Sequence, residues 1–524
     1  MEKIKNIVQI LNKYSDLTVL LIIFFTSLYM MKDSVLFFDD IVNHFLPGGI
    51  SFYKDFYYGS WVMELQNIIF YYIPYKLEIN LQDWALNTAG IIKSIIITSL
   101  MYCCICIIKL HYKGKTIRYC SVLIFYYLFI KYVSDRQFGD FMIIEGFFRF
   151  ILPSVLICAF LYKFYNFAVL KKTIDFSLYF LAFICASSSE IASSICLISV
   201  MLVVIHFLIE KENKQNIKNS VLIFLTLTAG TVFLICSTGF QAHFIHKHSE
   251  ELISIGAVLS YLPEFFKIFY NKLICDFKFY YLIVFVFIFL QYKRISKIRI
   301  FFPLYIIFAC LFFCFSLVIM GKTSYLNDFW LQHADIYTVI TIVMNFVILL
   351  SLCNYLAYAN KKEEKILLVL FLITAILTVN PFINTVRTIS STVTNTRNYV
   401  YLRDKIRLFY AYRNEIPVMP IITCVTFTYN PVANINVVDT DTYIPKYGAD
   451  ITSDINTKVY EQMQKNYYPI VFKKTKDMFT HEHIIEDSII AIQKFKSLGG
   501  STEEIKADKT VFSKLSDEKF VLNQ

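Results

Sequence analysis

The chain has 524 residues, of which 57% are hydrophobic and 17% charged. A soluble chain carries about a quarter charged residues, so this composition excludes an ordinary water-soluble domain. The formal net charge of +10 is gathered in short clusters between apolar runs, which directs it at an anionic membrane surface and not at nucleic acid.

The N-terminus, Met1 to Lys13, holds three lysines and leads into an apolar stretch with no small-residue cleavage site before Asp33. It reads as a retained anchor. Apolar runs of bilayer-spanning length then recur at 17–37, 88–109, 118–133, 141–162, 173–188, 190–209, 219–238, 279–291, 300–320, 336–359 and 366–382. Lys32-Asp33 interrupts the first near its outer end, so its hydrocarbon part is expected to stop at Met31. The 61–77 segment is apolar but carries Glu64, Gln66 and Lys76. It is expected to lie on the outer surface as an interfacial helix, a spanning helix being the alternative. The expected fold is an all-α polytopic membrane bundle of about 11 transmembrane helices.

Basic residues set the expected orientation. With the N-terminus in the cytoplasm, the inner loops hold Lys3/Lys5/Lys13, Lys109/Lys113/Lys115/Arg118, Lys163/Lys171/Lys172, Lys211/Lys214/Lys218, Lys293/Arg294/Lys297/Arg299 and Lys361/Lys362/Lys365. The short outer loops carry at most one each, Arg136 and Lys322 among them. This is the positive-inside pattern, and it places the C-terminus outside.

From about Asn384 the composition turns polar. Residues 396–414 read as an amphipathic helix, broken by Pro417 and Pro420. Ile421–Tyr429 reads as a strand, Asn436–Asp439 as a short second one, and Thr480–Leu498 as a helix ending at Gly499-Gly500. The domain plan is therefore 1–390 for the membrane bundle, with an outer loop over 38–87, and 391–524 for a small extracytoplasmic α+β domain. Most of the thirteen cysteines lie in apolar runs, where Cys acts as a small hydrophobe. Cys103-x-x-Cys106 lies inside a span with no second pair, so neither zinc nor redox chemistry follows.

The groups able to do chemistry lie on the outer side. Asp39 and Asp40 follow Phe37-Phe38 where the first span leaves the bilayer. Burial and mutual repulsion both oppose two adjacent carboxylates there. They act either as a catalytic base, Asp40 being the first choice, or as a helix stop. His44, four residues on, can donate to substrate or tune the pair. Glu190 follows Ser187-Ser188-Ser189 in a tight outer turn; it binds a sugar hydroxyl, or the turn simply caps the next helix. His243 and His246, with Lys247 and His248, and the pair Lys322 and His333 are candidate contacts for a lipid phosphate. The histidine spacing matches no zinc signature, and Asp439-Thr440-Asp441 reads as a turn, so no divalent metal and no other cofactor is expected. Glu145 and Arg149, four apart, are expected to pair. There is no P-loop, GxGxxG or GxSxG.

In layout the whole chain resembles the GT-C fold glycosyltransferases, and among them the bacterial polytopic transferases that glucosylate O-antigen, the Gtr serotype-converting group. The likeness rests on Phe38-Asp39-Asp40-Ile-Val-Asn-His44, on Ser-Ser-Ser-Glu190, and on the tail with Asn456–Tyr460, Tyr467-Tyr468 and Phe495–Gly500. It implies a multi-pass protein of the bacterial inner membrane. Its donor would be an undecaprenyl-phosphate sugar, its acceptor a surface glycan such as the O-antigen of lipopolysaccharide, and Asp39 or Asp40 its essential acid. Such proteins often carry an arginine in a late outer loop, where this chain has Lys322 and His333. An O-antigen or capsule polymerase and a non-catalytic lipid-linked sugar flippase are the competing expectations. Polymerases rely on arginines in their outer loops, which are scarce in the short ones here.

Overall fold

The computed structural model describes residues 15–34, 60–77, 81–112, 114–136, 144–237, 263, 270, 278–291, 296–319, 335–412, 425–428 and 436–439. It is mostly helical. The chain order begins with α1 (Ser15–Met31), α2 (Trp61–Asn67), a π-helical turn π1 (Ile68–Tyr72), α3 (Ile73–Lys76), α4 (Leu81–His111) and α5 (Lys115–Arg136). It continues with α6 (Ile144–Gly146), a second π-helical turn π2 (Phe147–Ile151), α7 (Leu152–Ala168), α8 (Phe176–Ala186), α9 (Glu190–Ile209) and α10 (Lys214–Ile235). The last helices are α11 (Lys278–Gln291), α12 (Lys297–Ile319), α13 (Asp335–Leu356) and α14 (Lys361–Tyr412).

Among the described residues, seven helical stretches are long and apolar enough to cross a membrane: Trp84–His111, Phe147–Ala168, Glu190–Ile209, Lys214–Ile235, Lys297–Cys314, Thr338–Leu356 and Lys361–Ser391. Ser15–Met31, Phe176–Ala186 and Lys278–Leu290 are shorter apolar helices. The Lys361–Ser391 stretch has none of its most apolar window buried, and Ile376 and Leu377 are 71% and 70% exposed. An apolar face of that extent is untenable in water and ordinary against lipid. The helices therefore describe a membrane protein.

One end of the bundle is held by charge. Asp16 of α1 pairs with Lys109 of α4 and, at 2.9 Å, with Arg118 of α5. The Tyr119 hydroxyl donates to the same carboxylate at 2.8 Å. Lys163 meets Asp175 at 3.0 Å, Lys171 meets Glu212 at 2.7 Å, and Lys297 meets Glu210 at 3.0 Å. The Arg299 guanidinium lies over the Tyr358 ring at 5.1 Å. The described basic clusters thus converge on one end, as loops that share a side must. The opposite end is held by close backbone packing. Gly90 of α4 sits under the end of α1, where a Cβ would stand 2.6 Å from the Met31 carbonyl oxygen. Gly230 of α10 sits likewise against α8, 2.7 Å from the Phe183 carbonyl oxygen. Small residues let helix backbones approach in this way.

One expectation is met and one shifts. The first helix stops at Met31, before Lys32-Asp33, and Asp33 accepts from Thr394 at 2.6 Å. The segment 366–382 and the amphipathic helix from 396 are not separate: α14 runs through Pro381 without a break. Its 52 residues reach about 78 Å, against a hydrocarbon slab of about 30 Å. Beyond it, β1 (Val425–Thr428) and β2 (Asn436–Asp439) pair antiparallel, with Val425 opposite Asp439 and Thr428 opposite Asn436. The expected helix over 480–498 lies outside the described residues.

Two predictions follow from the two ends. Gly90→Val forces Met31 and α4 apart, and is expected to lower thermal stability in detergent by about 1–3 kcal/mol; an unchanged melting temperature would refute the close approach. At the charged end, Ser177 and Lys163 hold the Asp175 carboxyl below the usual carboxylate range, and Lys171 does the same for Glu212. Because both folded values are depressed, the stabilisation is complete above the ordinary carboxylate value, about 4, and is lost as pH falls through the folded values. Each pair is worth under about 1 kcal/mol. Thermal melts between neutral pH and about pH 3 should show this loss, and Glu212→Gln should blunt it.

Candidate functional site

The end opposite the ion pairs carries a helix laid across it. α2, π1 and α3 form one continuous run whose Val62, Met63, Gln66, Asn67, Phe70 and Pro74 are buried. Ser60 caps its start, accepting from the Val62 N–H at 3.3 Å, and the Ser60 hydroxyl also donates to the Ser188 carbonyl. The Trp61 indole donates to the Ile184 carbonyl at 3.1 Å. From α4, the Trp84 indole donates to the Ile69 carbonyl at 2.8 Å. The run is thus fastened to the 184–188 turn at its start and to the head of α4 further along. It also packs against π2, Phe70 meeting Phe148 edge-on at 6.0 Å.

The two π turns have one local cause. Pro74 and Pro153 each stand two residues after a π segment. A proline removes the N–H that an α-helix would use, and its ring crowds the carbonyl four residues back. Those carbonyls belong to Phe70 and Arg149, one inside each π turn. The helix widens instead, so that the Ile73 N–H bonds to the Ile68 carbonyl and the Leu152 N–H to the Phe147 carbonyl. Widened turns of this kind are frequent at functional sites.

Polar groups converge on this contact. Lys93 of α4 is 1% exposed, and its ammonium lies 5.6 Å from the centre of the Phe147 ring. Gln66 is fully buried at 0% exposure; among the described residues neither its Nε2 nor its Oε1 has a hydrogen-bond partner. The same holds for Asn67 Oδ1. Arg149 is half-buried on π2, over the Phe150 ring. Buried amides almost always find partners, and an unmet one costs about 1–3 kcal/mol.

Of the candidate catalytic and substrate-binding residues, Glu190 alone is described. It opens α9 and is exposed. The cap on that helix comes from Ser189, which accepts from the Ala192 N–H at 3.2 Å. The Glu190 side chain makes no hydrogen bond within the described residues, and the residue stands two positions after Ser188, whose carbonyl accepts from Ser60. Asp39, Asp40, His44, His243, His246, Lys322 and His333 lie outside the described residues, so their meeting with Glu190 stays an expectation. Both described anchors of the acidic segment are at this end: Ser34, whose N–H bonds to the Met31 carbonyl at 3.0 Å, and Ser60. Arg149 lies on π2, the turn that also carries Phe147; the side chain of Glu145 lies outside the described residues. Sequence reading missed Gln66 and Asn67. Their signal was the offset from Pro74 and the placing of a glutamine in an otherwise apolar run. Among the described residues, no group of three or more His, Cys, Asp or Glu is placed to hold a metal ion.

The helices, the lipid-facing apolar surface and the two chemically distinct ends define a helical membrane protein. No protein-family model, curated protein or solved structure matches the chain.

The two roles open to the 187–190 turn can be separated. Ser189→Ala is expected to lower stability by about 1 kcal/mol through loss of the cap. Glu190→Gln is expected to stay within about 0.5 kcal/mol, as an exposed group does. Melting curves of the two variants check this; a larger loss for Glu190→Gln would make it a structural residue.

Proposed function

We propose that the chain is an integral membrane glycosyltransferase. It moves a sugar, glucose being the first candidate, from a polyprenyl-phosphate donor to a surface polysaccharide such as O-antigen. In this reading about eleven helices span a bacterial inner membrane in a GT-C-like arrangement. The basic end and the N-terminus face the cytoplasm, and a small α+β domain after residue 390 lies outside. The observation that carries the reading is the division of the two ends. The basic loops gather at one. The other holds buried, unpaired polar groups and both anchors of the segment that bears Asp39 and Asp40.

The chemistry needs few parts. Asp40, or Asp39 beside it, takes the proton from an acceptor hydroxyl. The freed oxygen attacks the anomeric carbon, the bond from that carbon to the phosphate oxygen breaks, and the lipid phosphate departs with the bonding pair. Cations and hydrogen-bond donors at the outer end stabilise the leaving charge; Lys322, His333, His243 and His246 are the candidates from the loops. Glu190 and His44 are proposed to hold sugar hydroxyls. Activation of the sugar is complete before the donor arrives, so no nucleotide site is needed.

A carrier for lipid-linked sugars would favour charge at mid-membrane, and buried Lys93 bears on that reading. Lys93 is sixteen residues from Lys109, about 24 Å along α4. In a slab about 30 Å thick that puts it near the outer boundary and not at the middle. This depth favours the transferase.

The test is Asp39→Asn, Asp40→Asn and the double variant in cells, with membrane abundance measured beside mass spectrometry of the surface glycan. The double variant is expected to insert normally and to lose sugar addition by about a hundredfold or more. Unchanged addition overturns the catalytic assignment. A changed polymer length would indicate a polymerase, and donor building up on the inner side a carrier.

A further inference from the structure

We propose that Arg299, Lys172 and His111 form a binding site for a phosphate group at the charged end of the bundle. The site is independent of the transferase reading and of the acidic pair. Four chain segments bring these residues together. His111 closes α4, and its ring meets Tyr165 of α7 edge-on at 5.5 Å. The Tyr165 hydroxyl donates to Asn354 Oδ1 of α13, and the Asn354 amide donates to the Arg299 carbonyl of α12 at 3.2 Å. Lys172, in the loop after α7, is tied back by its N–H to the carbonyl of Asn166, next to Tyr165, at 3.1 Å. The charges of Arg299 and Lys172 both act on the His111 ring, and Arg299 acts on Tyr165 as well.

This cluster holds cations and no anion. The half-buried Arg299 guanidinium lies over the Tyr358 ring at 5.1 Å and has no carboxylate partner among the described residues. The exposed Lys172 ammonium has none there either. His111 Nε2 is shut off from solvent without a hydrogen-bond partner. Glu364 of α14 acts on Tyr112, one residue on, but no described carboxylate acts on His111 itself. The neighbours in sequence differ. Lys171 pairs with Glu212 and Lys297 with Glu210, so the carboxylates between α9 and α10 serve the residue before Lys172 and a residue one short of Arg299's neighbour. Lys171 holds a left-handed backbone, φ 56°, which a lysine adopts at a cost. Across that strained turn Lys171 reaches Glu212, and Lys172 is left to His111 and Arg299. Like charges gathered at a membrane boundary repel one another until an anion joins them. Phosphate is the anion that a bilayer presents at that level, in the headgroups of its lipids. Its oxygens accept from the Arg299 fork, from Lys172 Nζ, and from His111 Nε2 in the tautomer that carries its proton there.

The experiment uses the full chain purified in detergent and stripped of lipid. Phosphatidylglycerol, phosphatidylcholine and inorganic phosphate are titrated in separately, and binding is read by native mass spectrometry and by melting temperature. Phosphatidylglycerol is expected to bind and to raise the melting temperature. Phosphatidylcholine, whose headgroup carries its own cation, is expected to do neither. Protection by phosphatidylglycerol alone supports the site and makes the bound group a lipid's. Protection by inorganic phosphate as well supports it and shows that free phosphate suffices. Protection by neither, or equal protection by phosphatidylcholine, overturns the site. Arg299→Gln is expected to weaken phosphatidylglycerol binding by about tenfold, and Lys172→Gln by about fivefold. Lys218 is an exposed lysine outside the cluster. Lys218→Gln is expected to stay within about twofold of wild type, since salt screens an exposed charge that does not touch the ligand. Because Lys172 is exposed, its variant is expected to fold even where Arg299→Gln does not, and unchanged binding in Lys172→Gln overturns the site. So does an equal loss in Lys218→Gln, which would show attraction to net charge and no defined site.

Discussion

Charge cannot rest in hydrocarbon without a partner, and this single constraint orders the bundle. Asp16 is its plainest expression. The carboxylate stands at the first turn of α1 and is met by Lys109 from the last turn of α4 and by Arg118 and Tyr119 from the first turns of α5. Three helix ends are drawn to one level. Lys163–Asp175, Lys171–Glu212 and Lys297–Glu210 continue the same layer through the loops between α7 and α8, α9 and α10, and up to α12. These pairs lie at the boundary, where lysine stems can reach water, so their desolvation cost is small. Once that layer is fixed, helix lengths determine what meets at the other end.

The other end is joined by different means. Gly90 against Met31 and Gly230 against Phe183 are contacts of backbone with backbone. Ser390 donates to the Tyr29 carbonyl at 3.2 Å, and Ser60 and Trp61 donate to carbonyls of the 184–188 turn. Such contacts hold position without placing net charge at the site.

Much of this was legible in the residues themselves. The lysine and arginine clusters mark the charged end because the cost of moving them across hydrocarbon is large and each loop is short. Alternation of Val, Thr and Phe marks β1. Other parts escaped for physical reasons. Pro381 reads as a stop in water but is tolerated inside an apolar helix, so α14 appeared as two elements. Ser189 and Glu190 are both capable caps, and only geometry separates them. Gln66 reads as one polar residue on an interfacial helix. Its meaning lies in having no partner, and absence of a partner is a property of three dimensions that no sequence pattern encodes.

The depth of Lys93 joins these strands. Cβ atoms lean toward a helix's N-terminus, and the N-terminus of α4 is at the end opposite Lys109. The lysine stem therefore leans away from the charged layer, and its ammonium comes to rest beside Phe147 at the very start of π2. A four-carbon stem spans about 6 Å, the same as the gap between its backbone, about 24 Å from Lys109, and the edge of a slab of about 30 Å. The ammonium is thus at headgroup depth while its stem is in the bundle. That is the level at which a bilayer's headgroups lie. A lysine set for transport through the membrane would be one or two turns deeper.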